Sequence, residues 1–487
     1  MTLKSKAVKG IGWVSLSSGT VQAVKFIAKI LLTRILFPED FGLVAIGLFV
    51  IGCFSLLQGL GINGSLIRRA GNDDIKQAAD TAFILVLITG VVLWFVSFIL
   101  AYPAAEFFRN RSAAGVIRVL SFSFLISSFE IVPAALLTRE IEFRKRFIPE
   151  VLSAGVYAGV ALVCARGGYG YWSLVWGYMA SVTVNTLVMW LVSGYKPSFA
   201  FHKRIAAELL GYGKYIAASV IVAFLMFQCD NAVVGRMLGM QALGHYSMAY
   251  AIANMPALSI GLVISGSLYP VFSKLQHDPD KLKRALLLSL KMLTVVLTPL
   301  TVGIIIMSGE FVSVFLSDQW EPMVFCLKLL SIFGLFRAMQ SMISFLLHAV
   351  GEARMDVVNS VIQLVIMAVL IIPLTVAFSI EGTSLAVTVM LILGFTRLLY
   401  LTKRRLSLET GALARVFFTP AAGAAVMAVS LYALRHILPF AREPSTAGFI
   451  FICGSGALIY AGVSILIDRQ VITQAKELAG TLVSRGS

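Results

Sequence analysis

The chain has 487 residues, of which 59% are hydrophobic and only 13% are charged, and its mean hydropathy is +0.90. A soluble fold has too few polar residues here to cover its surface, so the composition excludes a soluble protein. The net charge of +16 fits a membrane protein whose basic residues lie in cytoplasmic loops better than it fits a nucleic-acid partner. The five cysteines form no CxxC pair, so neither a disulfide framework nor a metal site is predicted.

Apolar segments long enough to cross the hydrocarbon core recur along the chain, and they predict an all-α polytopic membrane protein with about 14 transmembrane helices. The first six spans are expected at about 11–35, 41–63, 81–103, 114–137, 150–166 and 171–193. The next six are expected at about 212–236, 243–268, 286–307, 323–349, 357–378 and 381–402. The last two are expected at about 412–435 and 447–467. The first segment is too polar for a signal-peptide core, so it is expected to remain as a membrane helix.

Basic residues alternate between the loops in a way that orients the spans. The loops after the even-numbered spans carry clusters such as Arg68–Arg69, Arg144–Arg146 and Lys403–Arg405, whereas loops 37–40 and 379–382 contain no lysine or arginine. Basic loops stay on the cytoplasmic side of a membrane. The pattern therefore predicts a multi-pass protein of the bacterial inner membrane with both termini in the cytoplasm.

An internal repeat relates the two halves of the chain. At an offset of 202, Arg34 matches Arg236 and Gly42 matches Gly244, and the stretch 58–66 lies over 260–268. Each half contains six spans, so corresponding helices run in the same direction, as in transporters with parallel repeats. This predicts two pseudo-symmetric six-helix lobes with a substrate cavity between them and favours a transporter over a channel. The expected division is an N-lobe at 1–200, a C-lobe at 201–405, and two extra spans with a cytoplasmic tail at 406–487.

Three segments resemble a known family. They are AVKGIGWVSLSSG near the start, LLTRILFPEDFGLVAI at 31–46, and CDNAVVGRMLGMQALGHYSMAYAI at 229–252. They are similar to the Wzx-type flippases of the polysaccharide transporter family, within the multidrug/oligosaccharidyl-lipid/polysaccharide superfamily and especially its colanic-acid and teichuronic-acid branch. The resemblance covers roughly residues 5–405. It implies a two-lobed flippase that moves undecaprenyl-diphosphate-linked oligosaccharide to the periplasmic leaflet, with a polysaccharide polymerase and a chain-length regulator as protein partners.

Charged residues inside the predicted spans are the candidates for function, because a charge in hydrocarbon is costly. Lys25 and Lys29 lie four residues apart in span 1 and so share one helix face. They are predicted to bind the diphosphate or an acidic sugar, and Arg337 in span 10 is predicted to make a similar contact. Asp230 in span 7 is a candidate ion-coupling site, with a fixed ion pair at a gate as the alternative. Glu130 in span 4 is expected either to pair with one of these cations or to take up a proton.

Other patterns concern packing. Gly155 and Gly159 form a GxxxG motif in span 5, which is typical of a close helix contact. Lys291 and Arg397 are near the cytoplasmic ends of their spans and are predicted to extend to the interface.

Three classes of function compete at this point. A flippase suits the cationic excess of the intramembrane charges, as does a lipid II flippase, whereas a drug or cation antiporter would need a cavity rich in carboxylates. A membrane enzyme such as a polymerase is disfavoured, because the longest predicted outward loop has only about 15 residues and no acidic or histidine cluster. No cofactor and no metal is predicted, and the expected partners are membrane lipids and a lipid-linked oligosaccharide, without nucleic acid.

Overall fold

The computed structural model describes residues 3–59, 66, 72–437 and 445–467, and all regular structure in these ranges is helical. The longer helices are α1 Leu3–Thr33, α2 Pro38–Gln58, α3 Asn72–Phe107, α4 Ser112–Arg139, α5 Phe143–Arg166, α6 Trp172–Ser193, α7 Lys203–Met237, α8 Met240–Leu275, α9 Pro279–Phe315, α10 Val324–Ala349, α11 Ala353–Leu406, α12 Thr410–Ile437 and α13 Thr446–Ile467. A short 3-10 helix, Asp318–Met323, joins α9 to α10.

The predicted all-helical membrane class is confirmed. Within the described ranges, 10 helices are long and apolar enough to cross a membrane, so the chain is a multi-pass membrane protein. Each predicted span overlaps one of the helices or one half of α11, although residues 60–63 of the second span lie outside the described residues. The two halves of α11 meet at a break at Phe378 and Ser379, between the eleventh and twelfth predicted spans. The total of about 14 spans stays a prediction.

Several helices extend well beyond the predicted spans. Helix α3 begins at Asn72 instead of 81, and α9 continues to Phe315, through half of a predicted outward loop. Hydropathy predicts only the part of a helix that lies in hydrocarbon. The helix itself can extend further into water when the backbone groups at its ends are hydrogen-bonded. At the start of α9, the side chain of Asp278 accepts a hydrogen bond from the backbone N–H of Lys281 at 3.1 Å, which is a normal N-terminal cap.

The chain divides into two compact units, Met1–Ser247 and Met248–Ser487. The first unit holds α1 to α7 and the beginning of α8, and the second holds the rest of α8 and the helices that follow. The lobes predicted from the repeat, 1–200, 201–405 and 406–487, stay a prediction.

In the first unit, α1 packs against α5 and α5 packs against α6. Helices α5 and α6 approach closely at Gly177, where a Cβ atom would lie 2.9 Å from the Cβ of Ala161 and 3.1 Å from the carbonyl oxygen of Tyr157. The close contact predicted from the GxxxG motif is wrong, because a Cβ on Gly155 or Gly159 would meet no described atom within 4 Å. The small residue that brings α5 and α6 together is therefore on α6.

In the second unit, the core lies between α9 and α10. Leu286, Leu290 and Leu293 of α9 are fully buried against Met342 and Ile343 of α10, which are also fully buried. The leucines recur at helical spacing on one face, as expected for a helix that packs along a single apolar stripe.

Candidate functional site

A cavity of about 440 Å³ lies within the first unit, between α1, α2, α4, α5 and α6. We call it the charged cavity. Its volume is in the lower part of the range of about 300–1,000 Å³ that is usual for small-molecule sites. Three of the five predicted site residues, Lys25, Lys29 and Glu130, meet here. The complete lining is Val21, Lys25, Lys29, Leu48, Glu130, Glu150, Ser153, Tyr157, Tyr178, Ser181, Val182 and Asn185.

The two lysines occupy the polar face of α1. Lys25 is exposed and Lys29 is half-buried, and both line the charged cavity. Ala28 and Leu32 lie beside them on the same side of the helix and are only 1% and 0% exposed, whereas Ile27 and Leu31 on the opposite side are 57% and 45% exposed. The side of α1 that carries the lysines is thus the side that faces the rest of the first unit and its cavity, which keeps the two cations away from hydrocarbon in a helix that is predicted to span the membrane.

Glu130 is held by α6. The amide nitrogen Nδ2 of Asn185 donates to its Oε2 at 2.7 Å, and the hydroxyl of Thr186 donates to the same oxygen at 2.9 Å. Both donors are neutral, so within the described residues the carboxylate is oriented by hydrogen bonds, and its predicted pairing with a cation or uptake of a proton stays a prediction.

Glu150 is a charged lining residue that sequence reasoning missed. The Arg146 guanidinium donates to its Oε1 at 2.9 Å, and the hydroxyl of Ser17 on α1 donates to its Oε2. Arg146 also donates to the hydroxyl of Thr138 at 2.8 Å. The i, i+4 spacing of Arg146 and Glu150 at the start of a span was the one signal in the sequence that pointed to this pair.

The charges around the cavity sum to a small positive excess. Lys25, Lys29 and Arg146 carry three positive charges, and Glu130 and Glu150 carry two negative ones, so the net charge is +1 if every group is ionised. Among the described residues, no group of three or more histidine, cysteine or acidic side chains is arranged to hold a metal ion. The arrangement suits an anionic, hydrogen-bonding ligand.

Asp230 lies in the first unit but does not line the charged cavity. It is 1% exposed, and the hydroxyl of Tyr246 donates to its Oδ2 at 2.6 Å. Its Oδ1 accepts a hydrogen bond from the backbone N–H of Asn231 at 2.8 Å. Since Tyr246 is on α8, the carboxylate ties the end of α7 to the beginning of α8.

Arg337 lies in the second unit, in the middle of α10. Its guanidinium donates to the hydroxyl of Tyr250 at 2.9 Å and to Oδ1 of Asn254 at 3.5 Å. It also lies 6.0 Å from the centre of the Phe333 ring. The side chain is thus oriented by neutral and aromatic partners on α8 and α10, and its predicted contact with substrate stays a prediction.

Comparison with known proteins places most of the chain in one group. Residues 31–325 match the family described as polysaccharide biosynthesis protein. The succinoglycan biosynthesis transport protein ExoT of Rhizobium meliloti is 29% identical over 320 residues, which cover 66% of this chain and 64% of ExoT. The lipopolysaccharide biosynthesis protein WzxC of Escherichia coli is 27% identical over 363 residues, which cover 73% of this chain and 72% of WzxC. The chain therefore spans just under two thirds of the length of ExoT and 72% of the length of WzxC.

Solved structures share the fold. The lipid II flippase MurJ, in an inward closed conformation, aligns with a TM-score of 0.79 over 94% of this chain and 99% of MurJ. The sequence identity in this alignment is 16%, so the likeness establishes the fold and not the substrate.

Proposed function

The chain belongs to the polysaccharide biosynthesis protein family, and from that premise we propose that it is a flippase for lipid-linked oligosaccharide. It moves undecaprenyl-diphosphate-linked repeat units from the cytoplasmic to the periplasmic leaflet of the inner membrane, for exopolysaccharide or lipopolysaccharide assembly. The names of ExoT and WzxC, a biosynthesis transport protein and a lipopolysaccharide biosynthesis protein, support this role. The protein is a transporter and not an enzyme.

The observation that carries the proposal is that Lys25 and Lys29 line a cavity inside the first unit. A lysine at the centre of a membrane costs about 2.5–3.5 kcal/mol on insertion scales, so two of them on one helix need a function. An ammonium group acts as a compact positive charge that can bind phosphate or carboxylate. We assign Lys25 and Lys29 to the diphosphate or an acidic sugar of the substrate, and Arg337 to a further phosphate or sugar contact.

Two alternatives are less well supported. A drug or cation antiporter would bring a cationic ligand against Lys25 and Lys29, which repel it. A lipid II flippase would use the same cations, but the resemblance to MurJ is one of fold at 16% identity.

The parallel repeat favours alternating access, in which two helical lobes rock about the substrate. We propose that transport is coupled to an ion, with Asp230 or Glu130 as the coupling site and a role of Asp230 in a gate as the alternative. We further propose that both termini are cytoplasmic and that the protein works with a polysaccharide polymerase and a chain-length regulator.

The test is flipping of a fluorescent undecaprenyl-diphosphate oligosaccharide in proteoliposomes, measured with a membrane-impermeant quencher. We expect the native protein to flip the lipid and the Lys25→Ala/Lys29→Ala variant to be at least about tenfold slower. Lys145→Ala is the matched control, because Lys145 pairs with Glu142 on the surface of the same unit. Absence of flipping by the native protein, together with uptake of cationic dyes, would move the assignment to a drug antiporter.

A further inference from the structure

Lys25 and Lys29 could bind either the diphosphate or an acidic sugar of the substrate, and the hydrogen-bonding groups of the charged cavity distinguish between these two ligands. Oδ1 of Asn185 is buried and has no hydrogen-bond partner among the residues that the structure describes. Its orientation is fixed, because Nδ2 of the same amide donates to the Glu130 carboxylate at 2.7 Å, and an ionised carboxylate can only accept. A buried acceptor without a donor is unfavourable, and a ligand that supplies the donor relieves it.

Glu130 offers a second acceptor on the same wall. Both of its donors, Asn185 and Thr186, bond to Oε2, and no donor among the described residues is paired with Oε1. The cavity therefore presents two acceptor oxygens that are available to hydroxyl or N–H donors, and the Asn185 oxygen is the buried one. An ionised diphosphate consists of acceptor oxygens and cannot satisfy them, whereas a sugar ring carries several hydroxyl donors.

The charge balance also argues against a diphosphate. The three cations exceed the two carboxylates by one, so a ligand with a single negative charge neutralises the site. A diphosphate would bring more than one negative charge close to Glu130 and Glu150, both of which line the cavity, and like charges in a partly buried site repel strongly. A neutral sugar, in turn, would leave the excess of one positive charge uncompensated.

The remaining lining suits a sugar ring. Tyr157 and Tyr178 bring aromatic surface and hydroxyl groups, and Ser153 and Ser181 add further hydroxyls. We propose that the charged cavity binds one carboxylated sugar residue of the repeat unit, of the uronic acid class. This inference rests on the proposed flippase function and adds a substrate preference to it. Lys25 and Lys29 bind the carboxylate, and Glu130 and Asn185 accept hydrogen bonds from ring hydroxyls.

The test compares three probes on the full native chain in detergent, so it does not require any variant to fold. The probes are methyl glucuronide, its neutral analogue methyl glucoside, and inorganic pyrophosphate. Binding is followed by saturation-transfer NMR for the sugars and by phosphorus line broadening for pyrophosphate. We expect methyl glucuronide to bind at least tenfold more tightly than methyl glucoside, and pyrophosphate not to compete with it. Equal binding of the two sugars, displacement by pyrophosphate, or no sugar binding would overturn the proposal.

Two variants locate the site. Lys25→Gln/Lys29→Gln is expected to remove the preference for glucuronide over glucoside, and Asn185→Leu is expected to weaken the binding of both sugars. Lys145→Gln, outside the cavity, should leave all three results unchanged. Flipping is then measured with lipid-linked disaccharides that end in glucuronate or in glucose. A protein that flips both at equal rates is still a flippase but lacks this site, so the two proposals fail separately.

Discussion

Gly42 and Gly244 lie against the backbone of each other's helix, where α2 and α8 cross in the first unit. A Cβ atom on Gly42 would overlap the carbonyl oxygen of Met240, and a Cβ atom on Gly244 would overlap the carbonyl oxygen of Pro38. The offset of 202 relates Pro38 to Met240 just as it relates Gly42 to Gly244. The sequence repeat is therefore also a reciprocal contact in space, and glycine is required on both sides because the helices approach backbone to backbone.

This contact predicts that alanine at either position is harmful. In Gly42→Ala or Gly244→Ala, the new methyl group meets a main-chain oxygen that cannot rotate away, so the helices must separate. We expect each variant to lower the free energy of unfolding by about 1–3 kcal/mol, the usual cost of overpacking. Thermal unfolding in detergent would measure it.

The double variant and a control sharpen this prediction. Once one methyl group has separated α2 from α8, the second meets less resistance, so the double variant should lose less than the sum of the two single losses. Gly155→Ala is the control, since a Cβ there meets no described atom within 4 Å, and it should be neutral or slightly stabilising. Strictly additive losses would mean that the two glycines do not share one contact.

Glu150 is predicted to fasten α1 to α5. It joins Arg146 on its own helix to Ser17 on α1, so Glu150→Ala leaves Arg146 partly buried with one partner fewer. We expect thermal unfolding to show a loss of about 1–2 kcal/mol, because the group lies in a partly buried network. Glu142→Ala breaks a more exposed pair with Lys145 and should cost less, within the range of about 0.2–1 kcal/mol for surface pairs. If Glu150→Ala and Glu142→Ala lost the same free energy of unfolding, the network around Glu150 would contribute no more to stability than a surface ion pair.

The helices and the shared face of Lys25 and Lys29 could be predicted from the sequence, because both depend on periodicity within one segment. Even the break in α11 at Phe378 and Ser379 coincides with the short SIEG stretch at 379–382 that separates two apolar runs. Such features need no knowledge of what the segment packs against.

The partners of these residues could not be predicted, because they depend on the register between helices. Nothing in the sequence shows that Asn185 of α6 faces Glu130 of α4. Likewise, the GxxxG motif of α5 shows that a smooth face exists and not whether another helix packs against it, and no described atom lies within 4 Å of a Cβ on Gly155 or Gly159. Arg397, predicted to extend to the interface, instead donates to Oδ1 of Asn359 at 3.1 Å. Asn359 is fully buried, and only the packed structure supplies such a partner.

Two buried amide side chains in the second unit, those of Gln340 and Gln363, are predicted to be coupled in their effect on stability. Gln340 and Gln363 donate to each other at 2.9 Å and 3.0 Å, and they are only 6% and 0% exposed. Gln363→Leu leaves the Gln340 amide buried without this partner, which should cost about 1–3 kcal/mol. Gln340→Leu/Gln363→Leu removes both polar groups and should be more stable than Gln363→Leu alone. A double variant less stable than the single one would contradict this reading of the pair.

Asp230 is predicted to carry the response to an ion gradient. Asp230→Asn keeps the size of the side chain and an acceptor for the Tyr246 hydroxyl, but an amide cannot take up a proton and binds a cation weakly. We expect this variant to exchange labelled lipid between leaflets without a gradient while losing the acceleration that a proton or sodium gradient produces in the native protein. The measurement is flipping in proteoliposomes with and without each gradient.

Tyr246→Phe separates this role of Asp230 from its structural one. It removes the 2.6 Å hydrogen bond and leaves the carboxylate in place, so it should retain the response to the gradient even if the protein becomes less stable. The contrary result is that Asp230→Asn and Tyr246→Phe both lower the exchange rate without a gradient and the acceleration by a gradient to the same extent. In that case the Asp230 carboxylate has a structural role, which is to hold α7 against α8. The coupling site would then have to be sought at Glu130, for which Glu130→Gln in the same assay gives the answer.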